Sequence, residues 1–494
     1  MQFNGNGERN GTPGAHIPLL CPPMSNPRRP SAAARQLAAR LTQEIAEGRL
    51  VCGQKIPSIR QMAANQRISF HAVVSAYERL EAQGTIRVEA GLGYYVATAG
   101  VPLPACAKPA TEGPLDPHGI KAFWQLFHGN EQCLKLGCGW LPAAWRDTQA
   151  LARVVRRTAN FAHSSLVDYG DPAGYLPLRQ KLVAHLQPRL GVALAPDHLL
   201  TTLGATQALD LIIRQHIEPG DRVLVDDPCN NNLVQLLRLR GALILGIPRR
   251  HDGPDLAVVA ARLGEGKVKA FFLNSRLHNP TGTSLSDHGA FGLLQLANEH
   301  DLLLVEDDVY GDFCSAGQSR LVGLDGLHKV IYIGSFSKTL SANLRVGYIV
   351  APPAVIQPLA DLKLLTSVAV PGFCERFVGA MLADGSYERH LRRVRRQLQT
   401  AQAKAQKHLQ SWGWELFHTP TEGMFLWIRH PQLPCLEAFI EAGAHQGILL
   451  APATLFSAQG EAGPWLRINV AHFHADLARP LFHWFETAAT HMKI

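Results

Sequence analysis

Val330-Ile331-Tyr332-Ile333-Gly334-Ser335-Phe336-Ser337-Lys338-Thr339-Leu340, with Arg345 and Gly347 beyond it, runs from an apolar strand-like stretch into a turn of small hydroxyl residues. A lysine there suits a cofactor held through an imine and a phosphate. To attack an aldehyde the amine must lose its proton, and a desolvated, cation-rich pocket favours the neutral form. Ser335, Ser337 and Arg345 offer donors to a phosphate dianion. A lone Ser-x-x-Lys is more simply an exposed lysine on a strand-to-helix loop, so the reading rests on its partners along the chain.

Those partners lie at the ends of other strand-like runs. Asn279, in Leu277-His278-Asn279-Pro280-Thr281-Gly282, can donate to a phenolic oxygen, and Asp307, in Asp307-Asp308-Val309-Tyr310, can hold a pyridine nitrogen protonated. Gly204-Ala205-Thr206-Gln207 opens a helix whose free N–H groups suit a phosphate. Arg467 can grip a carboxylate through two hydrogen bonds. Around them, strand candidates Arg222–Val225, Lys269–Asn274, Asp301–Glu306 and Lys329–Gly334 alternate with helical stretches such as Thr206–His216 and Ser286–His300. That alternation predicts an α/β body with a mainly parallel sheet and helices on both faces. No Gly-x-Gly-x-x-Gly or Gly-Lys-Ser/Thr loop follows a strand, which argues against dinucleotide and P-loop sites, and no metal motif is present.

From about Tyr169 onward the chain resembles the fold-type I, class I/II aminotransferases, which carry a smaller C-terminal subdomain and use pyridoxal 5'-phosphate. The resemblance makes Lys338 the imine-forming, catalytic lysine and Asp307 the partner of the pyridine nitrogen. It gives the ring oxygen to Asn279 and Tyr310, the phosphate to Ser335, Ser337, Arg345, Ala205 and Thr206, and the substrate carboxylate to Arg467. Tyr169 would reach the phosphate of a neighbouring subunit, which implies a homodimer. Two departures stand out. The position that usually carries a ring-stacking aromatic is Asn230, and the proline and glycine usual after the lysine are Ala342 and Asn343. Weaker stacking and an altered loop with a retained phosphate grip are expected. Trp140 reads equally as a wall of the pocket or as core.

With 494 residues the chain is long enough for two or more folding units. Its nine cysteines include no Cys-x-x-Cys pair, as suits free thiols in a reducing compartment. No apolar run is long enough to span a bilayer and no signal pattern opens the chain, so no membrane partner and a cytoplasmic location are expected. The formal charge of +8 is uneven: residues 1–100 hold 11 Lys+Arg against 6 Asp+Glu, and the rest hold 37 against 34. That bias points to polyanion binding near one end.

Residues 1–33, rich in Gly, Asn and Pro, read as a disordered extension, and 98–130 as a linker, with a short helix at His118–Asn130. Between them, residues 34–97 read as three helices and a β-wing. Leu41, Ile45 and Leu50 give the first helix its apolar face, Ser58 starts the second, and Ser69 caps the third, whose Val73, Tyr77 and Leu80 face inward. Phe70, His71, Ser75 and Arg79 lie outward. Strands at Thr85–Glu89 and Tyr94–Val96 flank the turn Gly91-Leu92-Gly93. A winged helix of this kind places its third helix in the major groove of double-stranded DNA.

The segment resembles the GntR family through Gly48-x-Leu50-x-x-Gly53, Ile56-Pro57-Ser58-x-Arg60, Ala76-Tyr77-x-x-Leu80-x-x-x-Gly84-x-Ile86 and Gly91-x-Gly93. That implies that Arg60, Gly91 and Gly93 face DNA; Ser69 and His71, at the start of the third helix, join them as DNA-facing candidates. Many members have arginine where this chain has Phe70, which cannot pair with guanine but can touch a thymine methyl. Together the two halves resemble the MocR subgroup of GntR regulators, with residues 131–494 as the pyridoxal-phosphate body. The resemblance implies a transcription regulator that senses an amine or amino acid by forming an external aldimine. The alternative is a working aminotransferase with an attached DNA-binding module.

Overall fold

The structure is a computed structural model that describes residues 32–46, 50, 54–82, 85–89, 93–96, 133–159, 167–315, 318–433, 435–458 and 463–482. The chain divides into two compact units, Met1–Val101 and Pro102–Ile494.

In the first unit α1 (Ala32–Ala46), α2 (Ile59–Gln66) and α3 (Phe70–Ala82) accompany a three-stranded antiparallel sheet. Its strands are β1 (Lys55–Ile56), β2 (Ile86–Glu89) and β3 (Gly93–Val96), in the order β1-β3-β2. Local chemistry sets the helix starts. Ser58 Oγ accepts from Gln61 N at 3.4 Å while Ser58 N donates to Gln61 Oε1 at 3.2 Å, a reciprocal cap that satisfies two end groups of α2. Ser69 Oγ accepts from Ala72 N at 3.2 Å and so caps α3. Between α2 and α3, Arg67 takes a left-handed conformation, φ 51°, to turn the chain. Val73, Tyr77 and Leu80 are buried against Leu37, Leu41 and Ile45, and Phe70, His71 and Arg79 are exposed.

Several boundaries differ from expectation. Ala32 and Ala33 are already helical, whereas residues 1–31 of the expected extension lie outside the described residues. Since α1 ends at Ala46, Leu50 reaches the core from beyond it, with Leu50 N bonded to Glu44 O at 3.1 Å. Gly93 is the first residue of β3, paired with Glu89, because ladder bonds extend one residue past Tyr94. Two-residue β1 is too short to show a period-2 pattern in the sequence. Gly91, Ala97 and the expected linker 98–130, with its helix, lie outside the described residues.

The second unit is built on an eight-stranded sheet of β4 (Leu199–Thr202), β5 (Arg222–Asp227), β6 (Leu243–Arg250), β7 (Gly253–Pro254), β8 (Ala270–Asn274), β9 (Leu303–Asp307), β10 (Val330–Ser335) and β11 (Gly347–Val350). Their order is β4-β11-β10-β9-β8-β5-β6-β7. The run from β10 to β6 is parallel, and β11 lies antiparallel to both of its neighbours. Strand β10 is buried throughout, as a strand covered on both faces must be, and so reads as a continuous apolar run. One face is covered by helices Ala205–His216, Asn231–Arg240 and Pro353–Ser367, and the other by Leu176–Leu190 and Asp287–Glu299. A smaller antiparallel sheet follows, made of β12 (Glu415–Leu416), β13 (Phe425–Arg429), β14 (Ala451–Pro452) and β15 (Leu466–Asn469) in the order β12-β13-β15-β14. The 26-residue helix Ser386–Ser411 leads into it.

Candidate functional site

The parallel strands end at a common edge, where an α/β sheet presents its ligand site. There β5, β8, β9 and β10 deliver Asp226, Asn274, Asp307 and Ser335 to a cavity of about 210 Å3. Lys338 follows β10 in a one-turn helix, Phe336–Thr339, whose start is fixed by Ser335 Oγ accepting from Ser337 N at 3.1 Å. Lys338 Nζ donates to Gly139 O at 3.1 Å. Burial, seconded by the Arg467 cation and opposed by Asp307, lowers its amine to about 8. Asp307, in turn, is raised to about 6, chiefly by burial and against the bond it accepts from Val309 N. Above that pH it is an anion, the state needed to keep a ring nitrogen protonated.

Arg467 projects from β15 between the rings of Phe425 and Phe456, with its guanidinium carbon 4.8 and 4.6 Å from their centres. It donates to Asn279 Oδ1 at 2.6 Å and to Gly137 O at 2.5 Å. Burial lowers it to about 10, so it remains a cation, and its Nε has no partner. Arg345 takes a left-handed φ of 49° and donates to Leu203 O at 2.8 Å, beside the start of the helix Ala205–His216. The first N–H groups of that helix have no intrahelical acceptor. Tyr310 is buried, which pushes its phenol well above the ordinary range.

These residues fit pyridoxal phosphate. Ser337 Oγ is buried on the cavity wall without a hydrogen-bond partner, and three cations face the space where Asp307 meets it. Net positive charge and an unused hydroxyl beside a helix start suit a phosphate dianion. Ala205, Thr206, Asn279, Asp307, Tyr310, Ser335, Ser337, Lys338, Arg345 and Arg467 all line the one cavity. Tyr169 does not. It is 89% exposed. Trp140 is half-buried and lines the cavity, so it belongs to the wall. Asn230 also lines it, but its side chain accepts from Asn232 N at 3.3 Å as the cap of the helix Asn231–Arg240. Ala342 begins a short 3-10 turn, Ala342–Leu344, that hands the chain to Arg345.

Sequence reasoning missed the frame behind these side chains. Asn274 Oδ1 accepts from Asn279 N at 2.8 Å, and its Nδ2 donates to Asp307 O, so one amide sets two site residues. Asp226 accepts from Asn274 N at 3.1 Å and pairs with buried Arg249 at 3.1 Å. Asn469 Nδ2 holds the Gly137–Trp140 segment by its bonds to Cys138 O (3.0 Å) and Trp140 O (2.9 Å). The spacing Gly137-Cys138-Gly139 was a legible sign of close backbone approach. Asn274 offered no sign beyond its place at a strand end.

In the first unit Arg60, Ser69 and His71 are exposed, Arg60 on α2 and the other two at the start of α3. Gly93 lies in the wing with φ 112°. Among the described residues no helix is long and apolar enough to cross a membrane, and no cluster of three His, Cys, Asp or Glu is placed to hold a metal.

The family profile described as "Aminotransferase class I and II" matches residues 131–481, and that of "Bacterial regulatory proteins, gntR family" matches residues 33–96. An uncharacterized HTH-type transcriptional regulator, YdcR of Escherichia coli, is 30% identical over 88% of this chain and 94% of its own length. The probable rhizopine catabolism regulatory protein MocR of Rhizobium meliloti is 27% identical over 76% of this chain and 78% of its own. Among solved structures, the α-aminoadipate aminotransferase LysN of Thermus thermophilus superposes with a TM-score of 0.67 at 26% identity, covering 78% of this chain and 95% of that one. Winged helix and sheet-edge cavity thus each have their counterpart, and the chain belongs to the MocR-type gntR regulators, in which a DNA-binding module is joined to an aminotransferase class I and II body.

Proposed function

We propose that this regulator holds pyridoxal 5'-phosphate on Lys338 and uses the site to sense an amine or amino acid. The observation that carries the reading is the meeting of Lys338, Asp307, Asn279, Tyr310, Arg345 and Arg467 in one cavity of a chain that also bears a winged helix. When bound, the cofactor supplies an aldehyde that captures primary amines and a ring that withdraws electrons. Asp307 would hold the ring nitrogen's proton, and Asn279 and Tyr310 the ring oxygen. Ser335, Ser337, Arg345 and the N–H groups of Ala205 and Thr206 would take the phosphate, leaving Arg467 for an effector carboxylate. Tyr169, exposed in the single chain, would complete the site of a second copy in a cytoplasmic homodimer. Arg60, Ser69, His71, Gly91 and Gly93 would face the operator. An effector shifts DNA binding only by its differential affinity for two arrangements of the protein.

The test is a ligand screen that follows both the visible absorbance of the bound cofactor and binding to the DNA upstream of the protein's own gene. Ligands that change both together support the reading, and a Lys338→Ala variant with a normal DNA response to ligand refutes it. A second reading, a working aminotransferase, is favoured by the amine of Lys338, which at about 8 is readily deprotonated and can move a proton. Rapid, complete turnover of an amino acid with a keto-acid acceptor would establish it over pure sensing.

A further inference from the structure

The helix Ser386–Ser411 carries six of its seven Arg and Lys residues on one side; the seventh, Arg395, lies off that side and donates to Asp312 O. At about 100° per residue, Arg389, Arg392, Arg393, Arg396, Lys404 and Lys407 fall within an arc of about 120°. The opposite side, with Tyr387, Leu391, Val394, Leu398, Ala405 and Leu409, is buried in the body. From Arg389 to Lys407 the row is about 27 Å long at ~1.5 Å of rise per residue. All but Arg393 are exposed.

Among the described residues, Arg393 is the one member of this row that faces a carboxylate within ion-pair distance. Asp384 is bound to Arg157 at 2.8 Å and Glu388 to Arg189 at 2.5 Å, while Asp147 pairs with Arg393 at 3.4 Å. Among the described residues, none lies within ion-pair distance of Arg389, Arg392, Arg396, Lys404 or Lys407. The cationic surface widens where Arg393 Nη2 donates to Trp145 O at 3.1 Å and brings the helix Thr148–Thr158 alongside. There Arg153 joins Arg389 and Arg393 around a cleft of about 180 Å3 that Asp147 also lines, three cations to one carboxylate. Residues 101–494 hold 37 Lys+Arg against 34 Asp+Glu, so without the six cations of the row this unit would be net negative. Like charges three and four residues apart repel and destabilise a helix, so fold stability does not account for the arrangement.

We propose that this face of the body is a second DNA-contact surface, one that holds the phosphate backbone of duplex DNA. The inference rests on the reading of the chain as a DNA-binding regulator. A duplex presents a phosphate charge every ~1.7 Å along its axis, so a row of this length spans several phosphates. Backbone contacts of this kind add affinity and register without sequence information.

The experiment compares the full-length protein with an Arg389→Gln, Arg396→Gln, Lys407→Gln triple variant and with Arg60→Ala. Each is titrated against a duplex of about 60 base pairs containing the upstream DNA, over a range of salt concentrations. The triple variant is expected to bind about tenfold more weakly at low salt, with a log–log salt slope shallower by about 2–3. A triple variant with wild-type affinity and slope overturns the proposal and leaves the regulator reading intact. Failure of the wild type to bind duplex DNA at any salt overturns both. Binding of phosphatidylglycerol vesicles lost in the triple variant, with DNA affinity unchanged, assigns the face to lipid instead. Should the triple variant melt early, the single variants Arg396→Gln and Lys407→Gln are measured, each expected to lower the slope by about 1.

Discussion

Removing the Arg467 charge should raise the proton affinity of Lys338. A Cβ on Gly139 would lie 3.7 Å from Lys338 Nζ and 3.8 Å from Arg467 Nη2. The two cations are therefore within about 8 Å of each other and repel by roughly 1–2 kcal/mol at an effective dielectric constant of ~20–40. Divided by the free energy of a pH unit, that is a shift on the order of one unit. Arg467→Gln should then move the amine from about 8 toward its ordinary 10.5, though not all the way, because burial is the larger cause of the depression. Only the neutral amine attacks an aldehyde, so the rate of pyridoxal phosphate uptake, followed by visible absorbance, should reach its half-maximum at higher pH in Arg467→Gln. Arg467→Lys keeps the charge and should leave the midpoint near that of the wild type. An unmoved or lowered midpoint in Arg467→Gln, or the same displacement in Arg467→Lys, would refute the electrostatic argument.

Two further substitutions test the frame of the site. Asp307 is raised from 3.8 to about 6, so keeping it charged costs the folded state stability, fully above pH 6 and progressively less between 6 and 3.8. Without cofactor, Asp307→Asn should unfold at higher urea concentration than the wild type at pH 8, by roughly 1–3 kcal/mol. The difference should fade in acid, and a wild type that is the more stable at pH 8 would contradict it. Gly347→Ala places a Cβ 2.8 Å from the Cα of Gly204, a backbone atom that no rotamer change can move. It should cost about 1–3 kcal/mol and disturb the helix start beside Arg345, seen as a lower melting temperature and weaker cofactor binding. Wild-type melting would show that β11 and the start of the helix Ala205–His216 separate more readily than packing implies.

Strand β10 and the Lys338 turn were legible because burial on both faces demands a continuous apolar run and the turn demands small residues. The helices of the winged unit were legible for a related reason: Ser58 and Ser69 cap within three residues, so their signals are local. What escaped was non-local. β4, β6 and β11 gain their strand character from neighbours distant in sequence, as when β11 pairs antiparallel between β4 and β10. Asn274 matters only because β8 and β9 run side by side and bring Asp307 O within reach of its amide. Asn230 illustrates the opposite limit. Its departure from the family pattern was visible, but its role as a helix cap follows from the backbone that surrounds it.

The turn after Lys338 is also the place where the site meets the long helix. Thr339 Oγ1 and Tyr387 OH are 2.7 Å apart, and His390 Nε2 lies 2.8 Å from Thr339 O. Burial is the leading cause that keeps His390 below its ordinary pKa, so near neutral pH its Nε2–H donates to that carbonyl as an uncharged imidazole. Tyr387 OH in turn donates to Asp312, which the Arg189 guanidinium also binds. A movement of Lys338 that displaces its own turn must therefore carry Tyr387 and His390 with it or break their bonds. Breaking them leaves buried polar groups unsatisfied, at about 1–3 kcal/mol each. The less costly course is for the helix end to follow the turn. That end begins at Ser386, three residues before the first arginine of the charged row, so the helix turns bonded to the Lys338 turn also carry the first cations of the row.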